Sequence, residues 1–266
     1  MKSFFLLLLS GCLFSIGLNA QSQQGSSWKV KSIGLSLSST LEMPMNMNSG
    51  TFFGMKGEEV PQVINQNFGS AELVSMTCDN GELRASISLQ PPGSDDTEVQ
   101  FTLVNIIDRM DKMVFEAEDA GEDNFLTMES LSDEVAFEIG LIKSHKVTNW
   151  FRLYAGGSLN SGISYNHRLC IEGQIPMSDI SAEGTEQLNF SDNPTQQESY
   201  FQSCNTVSNG LNQRLFLQGG MGILFFKRVE TGLTYRKGIG YRSNFDGEFY
   251  GVTQQSLNIS IRWMIP

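Results

Sequence analysis

Apolar and polar residues alternate with period two along the last fifty residues, Arg214 to Trp263. Leu215, Leu217, Gly219, Met221, Ile223 and Phe225 are apolar or small. Val229, Leu233 and Tyr235 continue the phase, and Leu257, Ile259, Ile261 and Trp263 resume it, with Ser256, Asn258, Ser260 and Arg262 between them. Such alternation predicts strands with two unlike faces. From the N-terminal side, Trp28 to Leu41 is the first strand. The step from Val30 to Ile33, Leu35 and Leu37 changes phase once, which predicts a bulge. Glu42 to Gly69 is a long loop with Pro44, Gly50, Gly54, Gly57 and Pro61. Glu72, Val74 and Met76 run into Asp79-Asn80-Gly81, a hairpin signal, and Leu83, Ala85, Ile87 and Leu89 return to Pro91-Pro92-Gly93. Val99, Phe101 and Leu103 precede a break at Asp108-Arg109-Met110-Asp111. Met113 to Glu118 is a short strand, and Asp119 to Asp133 an acidic loop. Val135, Phe137, Ile139 and Leu141 alternate, Ser144 to Asn149 turn, Phe151 to Tyr165 is a long strand, and Asn166 to Gln213 is the longest loop. Ten segments result, or eight if part of the region spanning the short segments 83–90 and 113–118 is an extracellular or periplasmic hairpin.

The N-terminus changes where this sheet must live. Met1-Lys2-Ser3, an apolar run from Phe4 to Leu18 and the small Ala20 before Gln21 form a secretory signal peptide. Leu9-Ser10-Gly11-Cys12 also resembles a lipobox, but the chain stays apolar after Cys12, and cleavage near Ala20 is the expectation. Residues 1–20 are then signal, 21–27 a short leader and 28–266 one β domain. The mature balance is 17 basic against 29 acidic residues, 17 − 29 = −12 once Lys2 is removed. That excludes nucleic acid as a partner and general cationic attraction to lipid headgroups, while permitting divalent cations. Cys170 and Cys204 bracket one polar segment and are paired in this reading. Three free thiols are the alternative, and Cys78 is a small apolar strand residue.

Short and long connections alternate along the chain, with 144–149 and Lys227-Arg228 on one side and 166–213 on the other. Aromatic residues follow the same rule. Trp28, Trp150, Phe226 and Trp263 fall at the short-turn ends, whereas Tyr165, Tyr241, Phe249 and Tyr250 fall at the long-loop ends. Two aromatic belts around an apolar band suit a barrel in lipid, and in hydrocarbon a sheet must close because no edge stays unpaired. The expectation is an all-β, antiparallel, up-and-down transmembrane β-barrel of 8–10 strands, with long extracellular loops and short periplasmic turns. A secreted β-sandwich, extractable without detergent, is the alternative.

Val135 to Leu141, Phe151 to Gly157, Glu230 to Arg236 and Leu257 to Trp263, together with the signal peptide, resemble the small porin-like outer-membrane β-barrel proteins of Gram-negative bacteria. Residues 42–130 resemble them only loosely. The resemblance implies residence in the bacterial outer membrane and insertion by the barrel-assembly machinery, which reads an aromatic-rich last strand. This chain ends Trp263-Met264-Ile265-Pro266, so its last aromatic is not terminal.

With odd positions outward near the C-terminus, the lumen receives Arg214, Gln218, Glu230, Arg236 and Arg262, and from earlier strands Glu138, Arg152 and Tyr154. Glu230 faces Arg262 in a plausible register. Eight strands leave room only for side chains, so these charges are read as a paired network, with a narrow ion path as the alternative. His167 lies near Ser161 and Ser164, yet Tyr165-Asn166-His167-Arg168 lacks the serine spacing of rim lipases, and His145 lies in a turn. Met43, Met45 and Met47 form a thioether run with no Cys or His nearby. Glu116, Glu118, Asp119, Glu122 and Asp123 lack EF-hand spacing, and there is no phosphate-binding glycine loop and no CxxC pair. The reading is a monomer that is not an enzyme, with no cofactor and no metal site. Its partners are membrane lipid and lipopolysaccharide, its role is structural or surface-binding, and a small-solute channel is the alternative.

Overall fold

The computed structural model describes residues 27–45, 68, 71–116, 125–176, 189–190, 198–206, 209–226, 228–244 and 249–266. The expected signal peptide with Cys12, most of the leader, Met47 and the acids Glu118, Asp119, Glu122 and Asp123 lie outside them. Ten strands occur among the described residues. They are β1 (Lys29–Pro44), β2 (Glu72–Gln90), β3 (Thr97–Glu116), β4 (Phe125–Lys146), β5 (Phe151–Pro176), β6 (Asn189–Phe190), β7 (Glu198–Thr206), β8 (Gly210–Phe225), β9 (Val229–Asn244) and β10 (Phe249–Met264). All pairings are antiparallel. The order β4-β3-β2-β1-β10-β9-β8-β5 is closed by a β4–β5 ladder into a ring of eight, and β7 and β6 extend from β5 outside that ring.

The ring is an up-and-down barrel. Connections 91–96, 147–150 and 226–228 lie at one rim with both ends of the ring; there the Ile265 amide donates to the Lys31 carbonyl at 2.9 Å. At the other rim β1, β3, β5 and β9 end and β2, β4, β8 and β10 begin. Polarity is inverted relative to a water-soluble protein. Leu35, Leu37, Phe137, Ile139, Leu215, Ile239, Ile259 and Ile261 face outward, with Leu217 73% exposed, whereas Glu134 and Glu230 inside are 0% exposed. Water would penalise that outer band at about 25 cal/mol per Å², and hydrocarbon would not. The fold is therefore the transmembrane barrel expected from the sequence, with eight strands in the wall. The phase change after Val30 is the bulge expected there, a register shift between Val30 and Ser32.

Several expected turns are not turns. The Asp79-Asn80-Gly81 signal lies inside β2, because Asn80 and Gly81 pair with Thr40 and Ser39 of β1 and leave no room to reverse the chain. The break at 108–111 lies inside β3, where Ile106 pairs with Glu134 and Arg109 with Ser132, two intervening residues against one. β5 does not stop at Tyr165. Asp133 pairs with Tyr165 and Leu131 with Arg168, with Asn166 left-handed (φ 54°) in the extra step. Asparagine tolerates that conformation, and its Nδ2 donates to Asp133 Oδ2 at 2.8 Å. The acidic loop is shorter than expected because β4 begins at Phe125, and the longest loop contains β6 and β7. These are bulges at one level of the wall, and a bulge adds one residue and bends a strand without ending it.

Above that level β2, β3, β4 and β5, joined by β7, rise past the ring as a raised wall. Its inner face is apolar, with Met113, Phe115, Leu126, Met128, Leu169 and Ile171 buried. Cys170 and Cys204 are direct partners across β5 and β7 and are joined by a disulfide. Cys78 is a residue of β2.

Candidate functional site: the charged lumen

Inward positions of the barrel strands bring acids and arginines together in three tiers. Nearest the short-turn rim, Arg262 contacts Glu98 and lies 3.3 Å from Glu230, while Arg152 reaches Glu230 at 3.6 Å and Lys31 reaches Glu98 at 3.1 Å. Arg262 also donates to Ser32 Oγ at 2.8 Å. Arg262 and Glu230 are cross-strand partners, so the register alone sets them face to face. Arg152 pairs with Gly222 in the neighbouring strand, and a Cβ at 222 would collide with the Tyr154 hydroxyl, so glycine is what admits this ring to the lumen.

In the middle tier Glu138 is shared by Arg84 (2.8 Å) and Arg236 (2.5 Å), and Arg84 also meets Glu82 at 3.0 Å. Thr40 donates to Glu82 at 2.8 Å and Ser38 at 3.1 Å. The Arg236 guanidinium stacks 4.0 Å over the Phe216 ring. In the upper tier Glu42 is 2.9 Å from Arg109, 2.6 Å from Arg242 and 3.4 Å from Arg214. Arg214 also grips Glu134, which accepts from Asn212 at 2.9 Å and from Arg109 at 3.3 Å. Each tier ties together strands far apart in sequence. Arginine suits the task, because its planar fork meets two acceptors at once.

Glu138, Arg152, Arg214, Glu230, Arg236 and Arg262 are thus all placed in the lumen. Glu42, Glu82, Arg84, Glu98, Arg109, Glu134 and Arg242 are further members that the sequence reading does not single out. For Glu82 and Arg84 the signal is present, since they alternate with outward Leu83 and Ala85. Arg109 is hidden because its bulge resembles a turn, and Glu42, Glu98, Glu134 and Arg242 because they lie at expected strand ends.

Trp28, Trp150, Trp263 and Phe226 stand exposed at the short-turn rim, and Tyr241 at the opposite rim with half-buried Tyr165; Tyr250 is a residue of β10. His167 is buried on the inner face, whereas Ser161 is exposed outside and Ser164 is buried beside Asn212, so no serine–histidine pair forms at Ser161. His145 is exposed near the short-turn rim. Met43 and Met45 are exposed, with no His or Cys clustered there among the described residues.

No protein-family profile matches the chain. No curated protein sequence matches it either. Among solved structures, Neisserial surface protein A is 11% identical, with 91% of this chain and 100% of that chain covered and a TM-score of 0.37. Ail, the attachment invasion locus protein of Yersinia pestis, crystallised with the heparin analogue sucrose octasulfate, is 10% identical, covering 88% and 97% at a TM-score of 0.35. The outer membrane protein OprG from Pseudomonas aeruginosa is 11% identical, covering 92% and 98% at 0.33.

Proposed function

We propose that this chain is a monomeric, non-catalytic protein of the bacterial outer membrane. Its barrel anchors a surface-contact platform made of the raised wall and the long-loop rim. The observation that carries this reading is the lumen, crossed by three tiers of buried ion pairs and flanked above by the apolar inner face of the raised wall. An eight-stranded barrel has little interior to spare, and here it is spent on side chains. In this reading the signal peptide directs export, the barrel-assembly machinery inserts the chain, and the tryptophan rim sits at the periplasmic headgroups. The opposite rim meets lipopolysaccharide, with acidic loop residues bridged to phosphate by divalent cations. The lumen residues hold the wall together, and the ligand of the outer platform is a separate question of loop chemistry.

The reading is tested by fractionation and electrophoresis. Outer-membrane enrichment and a mobility shift between unboiled and boiled samples are expected, together with no conductance above a detergent blank in planar bilayers. Protease on whole cells should cut within 177–197 and leave the barrel. A narrow channel is the second reading, favoured by a polar cavity of about 60 Å³ between the lower and middle tiers. It requires discrete current steps that grow when Arg262→Gln and Glu230→Gln remove the lower tier.

A further inference from the structure

The outward face of β8, β9 and β10, and of β1 between Ile33 and Met43, carries a single charge among the described residues. It is Lys237, which stands exposed on the outside of the barrel. Its cross-strand partners are Leu217 and Gln255, and Tyr235 and Ile239 flank it on its own strand. None of these, and none of the diagonal positions 215, 219, 253 and 257, is an acid. Lys237 lies eight residues from Val229 at the tryptophan rim and four from Tyr241 at the opposite one, so it belongs to the long-loop half of the apolar band. An unpaired lysine facing hydrocarbon is costly, and its flexible stem carries the ammonium towards the headgroups.

Gln255 supplies a second, independent observation. The Tyr235 hydroxyl donates to Gln255 Oε1 at 3.0 Å, which engages the acceptor end of the amide and leaves Nε2 without a partner among the described residues. Lys237 and its cross-strand partner Gln255 therefore offer an ammonium and an amide N–H side by side, both of them donors. Lipid tails provide no acceptor, and donors without acceptors are unfavourable there. The complement is a lipid that carries anionic oxygens at the headgroup level on the long-loop side.

We propose that Lys237 and Gln255, with the amide set by Tyr235, bind one phosphate of a lipopolysaccharide molecule on the outside of the barrel. Its acyl chains then run towards the tryptophan rim over exposed Leu233, Leu257 and Ile259. The ammonium meets the phosphate directly, in a charge-assisted hydrogen bond. No divalent cation is needed, in contrast to the acidic loops of the same rim. The site rests on the outer-membrane residence proposed above and adds to it a defined lipid contact.

The test uses the full mature protein in non-ionic detergent, purified lipid A as the probe, and EDTA to remove cation bridges. Native mass spectrometry should show a saturable adduct of one lipid per chain. Lys237→Met should weaken that adduct by roughly tenfold or more, the worth of a hydrogen bond to a charged group, while Lys237→Arg keeps it. The heat-dependent mobility shift should persist in both variants, because neither adds a charge to the lipid face. Lipid A stripped of phosphate should bind the wild type as weakly as Lys237→Met binds intact lipid A. Equal binding by wild type and Lys237→Met overturns the site, and so does equal binding of the two forms of lipid A, a comparison that stands even if a variant fails to fold. Phosphatidylglycerol bound as tightly as lipid A overturns lipopolysaccharide as the occupant. A wild-type protein without a heat-dependent shift would instead overturn the outer-membrane reading itself.

Discussion

One strand, β4, passes through two differently built regions. Between Glu134 and Leu141 its outward side chains are Val135, Phe137, Ile139 and Leu141, and its inward ones include Glu134 and Glu138. Between Phe125 and Ser130 the same inward parity carries Leu126 and Met128, while Thr127 and Glu129 take the other face. The barrel is thus polar inside and apolar outside, whereas the raised wall is apolar on its inner face. The backbone is the same and β4 keeps its phase; its neighbours β3 and β5 shift theirs by one residue at the bulges. The solvent outside decides which face carries the apolar residues. In lipid the cohesion must come from internal ion pairs and hydrogen bonds, whereas in water it comes from apolar burial.

The two regions should therefore fail differently. The largest effect is expected for Glu138→Gln, which removes the carboxylate that Arg236 pairs with and leaves Arg84 with Glu82 alone. Breaking such a pair costs about 3–5 kcal/mol, and reversible urea unfolding in detergent should show the whole barrel losing stability. Phe115→Ala, in the raised wall, should cost about 3–5 kcal/mol locally. Hydrogen exchange is expected to rise in 109–116 and 168–176 while barrel amides stay protected. Global loss of protection would mean that the two regions are one cooperative unit. Replacing Cys170 and Cys204 by serine should remove about 3–4 kcal/mol from the wall in the chain-entropy model, with the heat-dependent mobility shift unchanged.

A charge placed outward sharpens the contrast further. Leu217→Lys should cost about 2–4 kcal/mol at mid-membrane, measured by the same urea unfolding. The smallest effect is expected in the β2–β3 turn. Ser94 and Thr97 donate to Asp96 Oδ1 at 3.0 and 3.1 Å, and with Lys143 3.4 Å away they hold its carboxyl below the ordinary carboxylate value. Asp96 therefore favours the fold at neutral pH, and that contribution fades as pH falls through its lowered value. Asp96→Asn should flatten this slight acid dependence of turn order, measured by amide NMR.

Much of the barrel was legible because its alternation is unbroken. β8, β9 and β10 read directly from Leu215 to Trp263, and the facing of Glu230 and Arg262 followed from the same count. The wall was not legible, for two physical reasons. Asp79-Asn80-Gly81, Asp108 to Asp111 and Asn166 have turn chemistry, yet they are used in bulges because paired neighbours on both sides keep the strand extended. Above the bulges the period-two pattern restarts in the other phase in β3 and β5, so a count carried across them places Met113, Phe115, Leu169 and Ile171 on the wrong face. Arg109 was missed for the same cause, since it lies at the β3 bulge, while Glu42 and Glu134 lie at expected strand ends.

The reversal of polarity along β4 is tested most directly by nitroxide scanning. Single labels at Glu129, Val135, Phe137, Ile139 and Leu141, in a chain carrying Cys78→Ser, are reconstituted in liposomes and probed with oxygen and a nickel chelate. The account predicts oxygen-rich, nickel-poor environments at 135, 137, 139 and 141, and a nickel-accessible one at 129. Labels at 135–141 that are shielded from both reagents, on protein that does not enter the liposomes, would mean that these faces pack against each other in a soluble sandwich and would contradict the account.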